Sequence, residues 1–572
     1  MLICFIKASF FSGFAKQFWE IARFGWFSLL PGTKAANKRG MQQIERSIPI
    51  LHCAAIWTNA LRAELATSVL APYLKHCRWF GGKGGEIRSV RILSEITLRD
   101  SPSVARVFLV EVVSEDGLSG TYCLPMDFAA GEFAGRLLAE MPGAVIARCA
   151  GPNGSSGSVI YDAVWGEGFR RELLETILRD DPPLGSGDVL FGVQGDGLNP
   201  VEAARVQGQS RVVTAEHSNS AIVYGASYFL KLYRKIERGG QRDAEILRFL
   251  TEEQPFNNVP RYCGQLNCDD GSGAAVIGLL VSFAPNHGDA WTQSLGALSQ
   301  WFTQLSREGV GDGQTPRVGV DAPYLQRLRQ LGGLTAQLHQ ALSGASWHRE
   351  FSPEAFTRED QETLAEGMGR TIEETMARLN KWHAELPGQV GGRAQLPDAA
   401  ELLDCQRALL EEEIVAEKIA IHGDYHLGQV LDTGADFVIM DFEGEPRRSF
   451  QERARKRSPL VDVAGMLRSF DYAASVALME LPEGAAIKPW AEAWVRQVSA
   501  AFVEAYRVAA AGASFLPKSD AAFDRLLDWS ILDKALYEIC YELDYRPALV
   551  GIPLRAVNEL LRKRRDKVSL VG

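Results

Sequence analysis

The sequence predicts an α+β protein of two lobes, one β-rich and the next mostly helical, with a further β-rich stretch ahead of them. Three observations carry that expectation. From about residue 49 to 285, short β-prone runs alternate with turn signals. Beyond Pro285 apolar residues recur at helical spacing over long segments, among them 323–342 and 361–386. The residues able to do chemistry divide the same way: a lysine inside a β-prone run comes before that change, and a set of acids and an amide comes after it.

Taken in order, the first forty residues stand apart, with Lys7, Lys16, Arg23, Lys34, Lys38 and Arg39 set against Glu20 alone among many aromatics. A basic amphipathic helix or a targeting leader would carry such a bias. Charge breaks the apolar stretches every few residues, so none reaches bilayer length and no stable membrane insertion is expected. The preferred reading is that Met41 is the true start and that 1–48 lies outside the fold. In 49–140, a helix-like stretch at 57–73 precedes β-prone runs such as 89–93 and 107–113. The segment 160–178 reads as a helix with Phe169, Leu173, Leu174 and Ile177 on one face. After a Gly- and Asp-rich region near 185–197, two β-prone runs, 221–224 and 228–232, are joined by Gly225-Ala226-Ser227, and Lys231 lies in the second. A helix over 243–250 carries Glu245, and the apolar run 276–283 ends the lobe before Pro285. The units expected are therefore 49–140, 141–285 and 286–572, with a loose Gly-rich patch at 309–319.

The densest chemistry lies in I-H-G-D-Y-H-L-G-Q-V-L from Ile421, followed by V-I-M-D-F-E-G-E-P. Asp424 can take a proton from an attacking hydroxyl. Gln429 and Asp441 offer hard oxygens of the kind magnesium prefers while it completes its shell with phosphate. Asp432, Thr433 and Gly434 supply the turn that brings the two runs side by side. The pattern resembles the H-x-D-x-x-x-x-N and D-F-G pair of the protein-kinase-like fold, with Gln429 in place of Asn and Glu443 in place of Gly. That resemblance implies phosphoryl transfer, with Lys231 on the nucleotide phosphates and Glu245 as its helix partner. The loop Glu216-His217-Ser218-Asn219-Ser220 has no glycine, so hydroxyls and amides of Ser218, Asn219 and Ser220 are expected to meet the phosphates, as in small-molecule kinases.

Longer strings bring the resemblance closer. Arg78-Trp79-Phe80-Gly81-Gly82-Lys83-Gly84, the Glu216–Ser220 loop, Pro285-Asn286-His287-Gly288-Asp289-Ala290-Trp291, both motifs above and the run from Asp462 to Tyr472 look like those of bacterial maltokinases, of aminoglycoside-phosphotransferase-like fold. The resemblance spans about 70–555. It implies a two-lobed protein-kinase-like fold with a small N-terminal cap over 49–140. It also implies phosphorylation of maltose by ATP with Mg2+ to give maltose 1-phosphate, a feed into α-glucan (glycogen) synthesis, and association with a trehalose synthase. Asp424 would be the base, Gln429 and Asp441 the magnesium ligands, and Glu443 a support for metal or sugar. Lys534, Tyr537 and Tyr541 fall along one face of a helix-like stretch. Phenol rings there can cover a pyranose face, and the resemblance makes this the sugar contact, with His422 beside it. Asp544-Tyr545 stands where that family usually has two asparagines. The rival readings are another small-molecule kinase of the same fold, a metal-dependent hydrolase built on His422, Asp424 and His426, and a catalytically silent scaffold.

Composition agrees with an enzyme acting on small molecules. With 61 basic and 71 acidic residues the net charge is −10, which argues against a nucleic-acid partner. The nine cysteines show no C-x-x-C and no zinc spacing, and read as reduced core thiols of a cytoplasmic protein.

Overall fold

The computed structural model describes residues 48–571, apart from 54, 82–84, 99–103, 151–155, 181–187, 214–217, 309–318, 345–347, 386–395 and 482–483. Most of the basic leader, Gly82 to Gly84, Glu216 and His217 lie outside the described residues, as does nearly all of the Gly-rich patch. The chain forms two compact units. One takes residues up to Glu253 together with Val259–Pro285, the other Gln254–Asn258 with everything from Asn286 onward.

The first unit is built on one sheet. Its strands are β1 (Ile50–His52), β2 (Ile87–Thr97), β3 (Arg106–Ser114), β4 (Ser119–Ala130), β5 (Val145–Ala150), β6 (Ser156–Asp162), β7 (Val189–Gln194), β8 (Ser210–Val213), β9 (Asn219–Tyr224), β10 (Tyr228–Tyr233), β11 (Lys235–Ile236), β12 (Tyr262–Asp269) and β13 (Ala274–Ser282). They lie in the order β1-β5-β6-β4-β3-β2-β7-β12-β13-β10-β9-β8, with β11 against β4. Strands on either side of residue 140, β4 before it and β5 after it, belong to this one sheet. Both faces of its middle are covered. Along β3, Val107 and Leu109 enter one apolar cluster with Leu173, Ile177 and Leu230, while Phe108 and Val110 enter another with Leu65, Leu70 and Tyr73. Period-2 alternation carries successive side chains to opposite faces, which is why β3 reads as a continuous apolar run.

One expectation needs correcting. Residues 160–162 belong to β6, and the helix α1 starts only at Glu167 and ends at Arg179. The run Val159-Ile160-Tyr161 is β-branched and aromatic, and Ile160 is flanked by Phe128 on β4 and Ala147 on β5. Asp162 closes the strand and accepts the Val164 amide at 3.2 Å in the turn that follows.

The second unit is mainly helical: α3 (Ala290–Glu308), α4 (Ala322–Ser343), α5 (Arg358–Glu385), α6 (Leu460–Met479), α7 (Gly484–Ala509), α8 (Asp520–Tyr545) and α9 (Gly551–Val571), the label α2 being kept for Arg242–Arg248 of the first unit. Helix starts follow local capping chemistry. Asp321 accepts the Tyr324 amide at the head of α4, and Ser519 accepts that of Ala522 at the head of α8. Between α5 and α6 lies the hairpin β14 (Val430–Asp432) and β15 (Phe437–Ile439). Arg327 of α4 grips its turn, reaching Asp432 at 2.9 Å and stacking its guanidinium 3.9 Å over Phe437. Asn258 holds the other edge, its side chain on the Phe437 carbonyl at 2.8 Å and its own carbonyl on the Ile439 amide at 2.7 Å. Among the described residues no helix is long and apolar enough to cross a membrane.

Candidate active site

In the first unit, β10 places Lys231 with Leu230 and Leu232 buried on either side. Its ammonium meets Asp243 at 3.1 Å, and both side chains are almost wholly buried. The partner expected from the sequence was Glu245. Asp243 of α2 meets Lys231, and Glu245 lies 3.8 Å from Arg242. Two residues correspond to roughly 200° around a helix, so Asp243 and Glu245 leave α2 on nearly opposite sides. Ser218 is exposed at the head of β9. Ser220 accepts from the buried Arg234 at 2.8 Å, and Asn219 accepts the Arg234 amide at 3.4 Å. Arg234 itself pairs with Asp162 at 2.6 Å.

In the second unit, Asp424 and Gln429 lie ahead of the hairpin and Asp441 just after it. Gln429 closes a short 3-10 turn, Leu427–Gln429, whose N-cap is His426. Its amide nitrogen donates to Asp441 Oδ2 at 2.8 Å. Rotating the amide by half a turn presents its oxygen at the same place. Two hard oxygens side by side suit magnesium, which takes few protein ligands. Asp441 sits at φ +68°, a left-handed conformation unusual for a residue other than glycine. Glu443, two residues on, is half-buried, and its carbonyl is held by Arg453 at 2.5 Å.

The two histidines of the motif are fasteners. A backbone amide only donates and a carbonyl only accepts, so the protonation of each ring follows from its partners. The Asp424 amide donates to His422 Nδ1 at 3.3 Å, and His422 Nε2 faces the Met440 carbonyl at 3.0 Å, so the proton is on Nε2. Read from the sequence as a substrate contact, His422 is buried with both ring nitrogens used on backbone. The Gly428 amide occupies His426 Nδ1 at 3.0 Å, which turns Nε2 toward Asp424 at 3.9 Å. Burial keeps His426 below the ordinary imidazole value, with Asp424 pulling the other way. Among the described residues His422, Asp424 and His426 do not gather as a metal-ligand set, which removes the geometric basis of the hydrolase reading.

A residue with no role in the sequence reading holds this loop in place. Asp462, in the first turn of α6, accepts the amides of His422 at 2.8 Å and Gly423 at 2.9 Å, and lies 3.2 Å from His339 Nε2. Burial acts to raise its carboxyl, yet the His339 bond and the backbone amide outweigh this and lower it. The helix passes so close to the loop that a Cβ on Gly465 would stand 2.6 Å from the Tyr425 carbonyl oxygen. Tyr425 is anchored in turn by Thr335 at 3.0 Å.

Helix α8 supplies the rest. Lys534 bridges Asp424 at 3.0 Å and the buried Glu445 at 2.7 Å. Although burial disfavours its charge, these two carboxylates hold its ammonium well above the ordinary value. Its nitrogen stands 5.0 Å over the Tyr537 ring, Tyr537 stacks on Tyr541 at 6.4 Å and 18°, and Tyr541 meets Tyr545 at 4.8 Å. Lys534, Tyr537 and Tyr541 are half-buried and Tyr545 is exposed, so this face forms a ladder of phenol rings leading away from Asp424. Asp544 is clamped by Arg447 at 2.7 Å and by Arg378.

Glu445 makes an acid-stability prediction. Burial acts to raise its carboxyl, but Lys534, then Arg448 and Arg457, hold it down at about 2. A depressed folded value stabilises the fold above the unfolded value and is lost as pH falls through the folded one. The contribution is on the order of 3 kcal/mol at neutral pH, with roughly half gone by pH 3. Urea unfolding at pH 6 and pH 3 should show a smaller loss for Glu445→Gln than for the native chain. Equal losses would mean that the Lys534 bridge contributes nothing to acid stability.

Comparisons with known proteins agree on one family. Residues 211–511 match the family model of the phosphotransferase enzyme family, and residues 73–165 that of the maltokinase N-terminal cap domain. A glucosamine kinase of Streptacidiphilus jiangxiensis is 25% identical over 367 residues, 63% of this chain and 75% of that protein. One of Mycolicibacterium smegmatis is 24% identical over 272 residues, 47% of this chain and 60% of that protein. A glucosamine kinase crystal structure aligns over 87% of this chain and 99% of its own at 20% identity, with a TM-score of 0.57. Another, in complex with glucosamine, ADP and inorganic phosphate, covers 82% and 94% at 20% identity, with a TM-score of 0.54. The kinase-like fold with an N-terminal cap expected from the sequence is the fold found.

Proposed function

Because this chain belongs to the phosphotransferase enzyme family, we propose that it transfers the terminal phosphoryl group of ATP to the anomeric hydroxyl of maltose. Asp424 accepts the hydroxyl proton as the new O–P bond forms and the bond to the leaving ADP oxygen breaks. The ammonium of Lys534, fixed by Glu445, holds the Asp424 carboxylate in place and donates to an acceptor hydroxyl. Lys231, oriented by Asp243, meets the donor phosphates as a point charge. Gln429 and Asp441 would hold magnesium, with Glu443 beside them, and that ion would supply neutralising charge for the phosphates. The amides and hydroxyls of Ser218, Asn219 and Ser220 border the same nucleotide.

The observation carrying a neutral sugar over an amino sugar is the pairing of the acids around α8. Asp424 and Glu445 are spent on Lys534. Along the helix Asp533 faces Arg448 and Arg457, Glu538 faces Arg468, Glu542 faces Arg546, and Asp544 faces Arg447 and Arg378. A glucosamine ammonium arriving there meets another ammonium, whereas a pyranose hydroxyl meets a donor and a phenol face. In this reading the product feeds α-glucan (glycogen) synthesis, and a trehalose synthase is a suitable partner.

The names of the relatives favour glucosamine as the second reading. ATP consumption with maltose, glucose and glucosamine, with the product mapped by phosphorus NMR, separates the two. Maltose should be used with a kcat/KM about ten-fold or more above glucosamine, since like charges at contact cost 1–2 kcal/mol even when partly screened. A preference for glucosamine would overturn the choice of acceptor and leave the transfer chemistry standing.

A further inference from the structure

The first unit holds a pair of thiols that the site does not use. Cys53 lies one residue past β1 and is half-exposed, whereas Cys149 is buried in β5. The two strands run parallel, with Leu51 opposite Cys149 and His52 opposite Ala150. Cys53 shares the face of Leu51, since alternate residues point the same way, so its side chain reaches diagonally across to Cys149. The sulfur atoms stand 2.7 Å apart. That is closer than unbonded sulfurs pack, and within a small motion of the ~2.05 Å bond.

We propose that Cys53 and Cys149 form a reversible disulfide that fixes β1, at the end of the sheet among the described residues, to its neighbour β5. The oxidant is a low-molecular-weight disulfide such as glutathione disulfide. The Cys53 thiolate attacks one of its sulfurs, the S–S bond breaks, and one glutathione leaves as thiolate and takes up a proton. Cys149 then loses its proton to solvent and attacks Cys53 Sγ, expelling the second glutathione. Two protein thiols become one disulfide, and one glutathione disulfide becomes two glutathiones. The exposed thiol is the entry point and the buried one resolves the mixed disulfide. Burial, with the hydrogen bond to Cys53, pushes the Cys149 thiol up to about 12. Closure by this buried thiol is therefore the slower step, and its rate should rise with pH.

The full chain, incubated with glutathione disulfide, alkylated after unfolding and digested, tests this by mass spectrometry. A Cys53–Cys149 linked peptide should appear with loss of two hydrogens and vanish with dithiothreitol, and the closed form should melt on the order of 5 °C higher. Cys53→Ser should leave Cys149 fully alkylated. A stable glutathione adduct on Cys53 beside a free Cys149 would overturn the proposal, as would two free thiols after a day. A linked form with an unchanged melting temperature would overturn the role given to β1.

Discussion

Replacing Asp424 by asparagine should lower kcat on the order of a thousand-fold or more, with the fold intact. Asparagine keeps the shape of the side chain and can still accept a hydrogen bond, but it cannot take the hydroxyl proton. Lys534 keeps Glu445 at 2.7 Å, so it loses one of its two partners and α8, tied also through Asp533 and Glu538, stays in place. Melting temperature and the KM for the sugar should therefore change little, and single-turnover kinetics should place the loss in the chemical step. Turnover within a few fold of the native enzyme would assign the base to another group.

A second large effect belongs to Asp462, which touches no substrate in the proposed mechanism. Asp462→Ala leaves the amides of His422 and Gly423 and the His339 ring without their acceptor in a buried place. Each buried orphan costs about 1–3 kcal/mol, so urea unfolding should show a loss of about 4 kcal/mol. The folded fraction should also be slow, because the loop that aims Asp424 has lost its tie to α6. Asp462→Asn, which keeps one carbonyl oxygen, should lie between the two. Native stability in Asp462→Ala would mean that the loop is held by Tyr425 and Ser469 alone, through the bonds they make to Thr335 and the Leu427 amide.

The sequence made the local half of this site legible. Asp424, Gln429 and Asp441 are bound to one another by a hairpin, and hairpin turns announce themselves through residues such as Asp432, Thr433 and Gly434. Lys231 was readable because a charge between two leucines in a strand is uncommon. Two long helices of the second unit, read as 323–342 and 361–386, were found to within a few residues at each end, since their apolar period runs for many turns, whereas of α8 only 534–542 was read. What stayed hidden were partners set by tertiary approach. Asp462 is about forty residues from the amides it holds, and nothing in its neighbours marks it as an acceptor for that loop. Glu445 sat in the quoted motif, yet its partner Lys534 is 89 positions away. Asp243, which meets Lys231, carried no signal of its own in the sequence, and 160–162 was misread because a short apolar run fits strand and helix alike.

The strand order of the first unit bears on how the chain emerges during synthesis. Among the described residues strand β1 has only β5 beside it, and β5 begins at Val145, about 95 residues later. At roughly 5–20 residues per second, β1 waits some 5–20 s on the nascent chain before its partner exists. During that interval its backbone donors and acceptors are open to any strand that passes, including β1 of a neighbouring nascent chain on the same message. Yield of folded enzyme should then depend on translation speed and on holding chaperones even where the finished protein is stable.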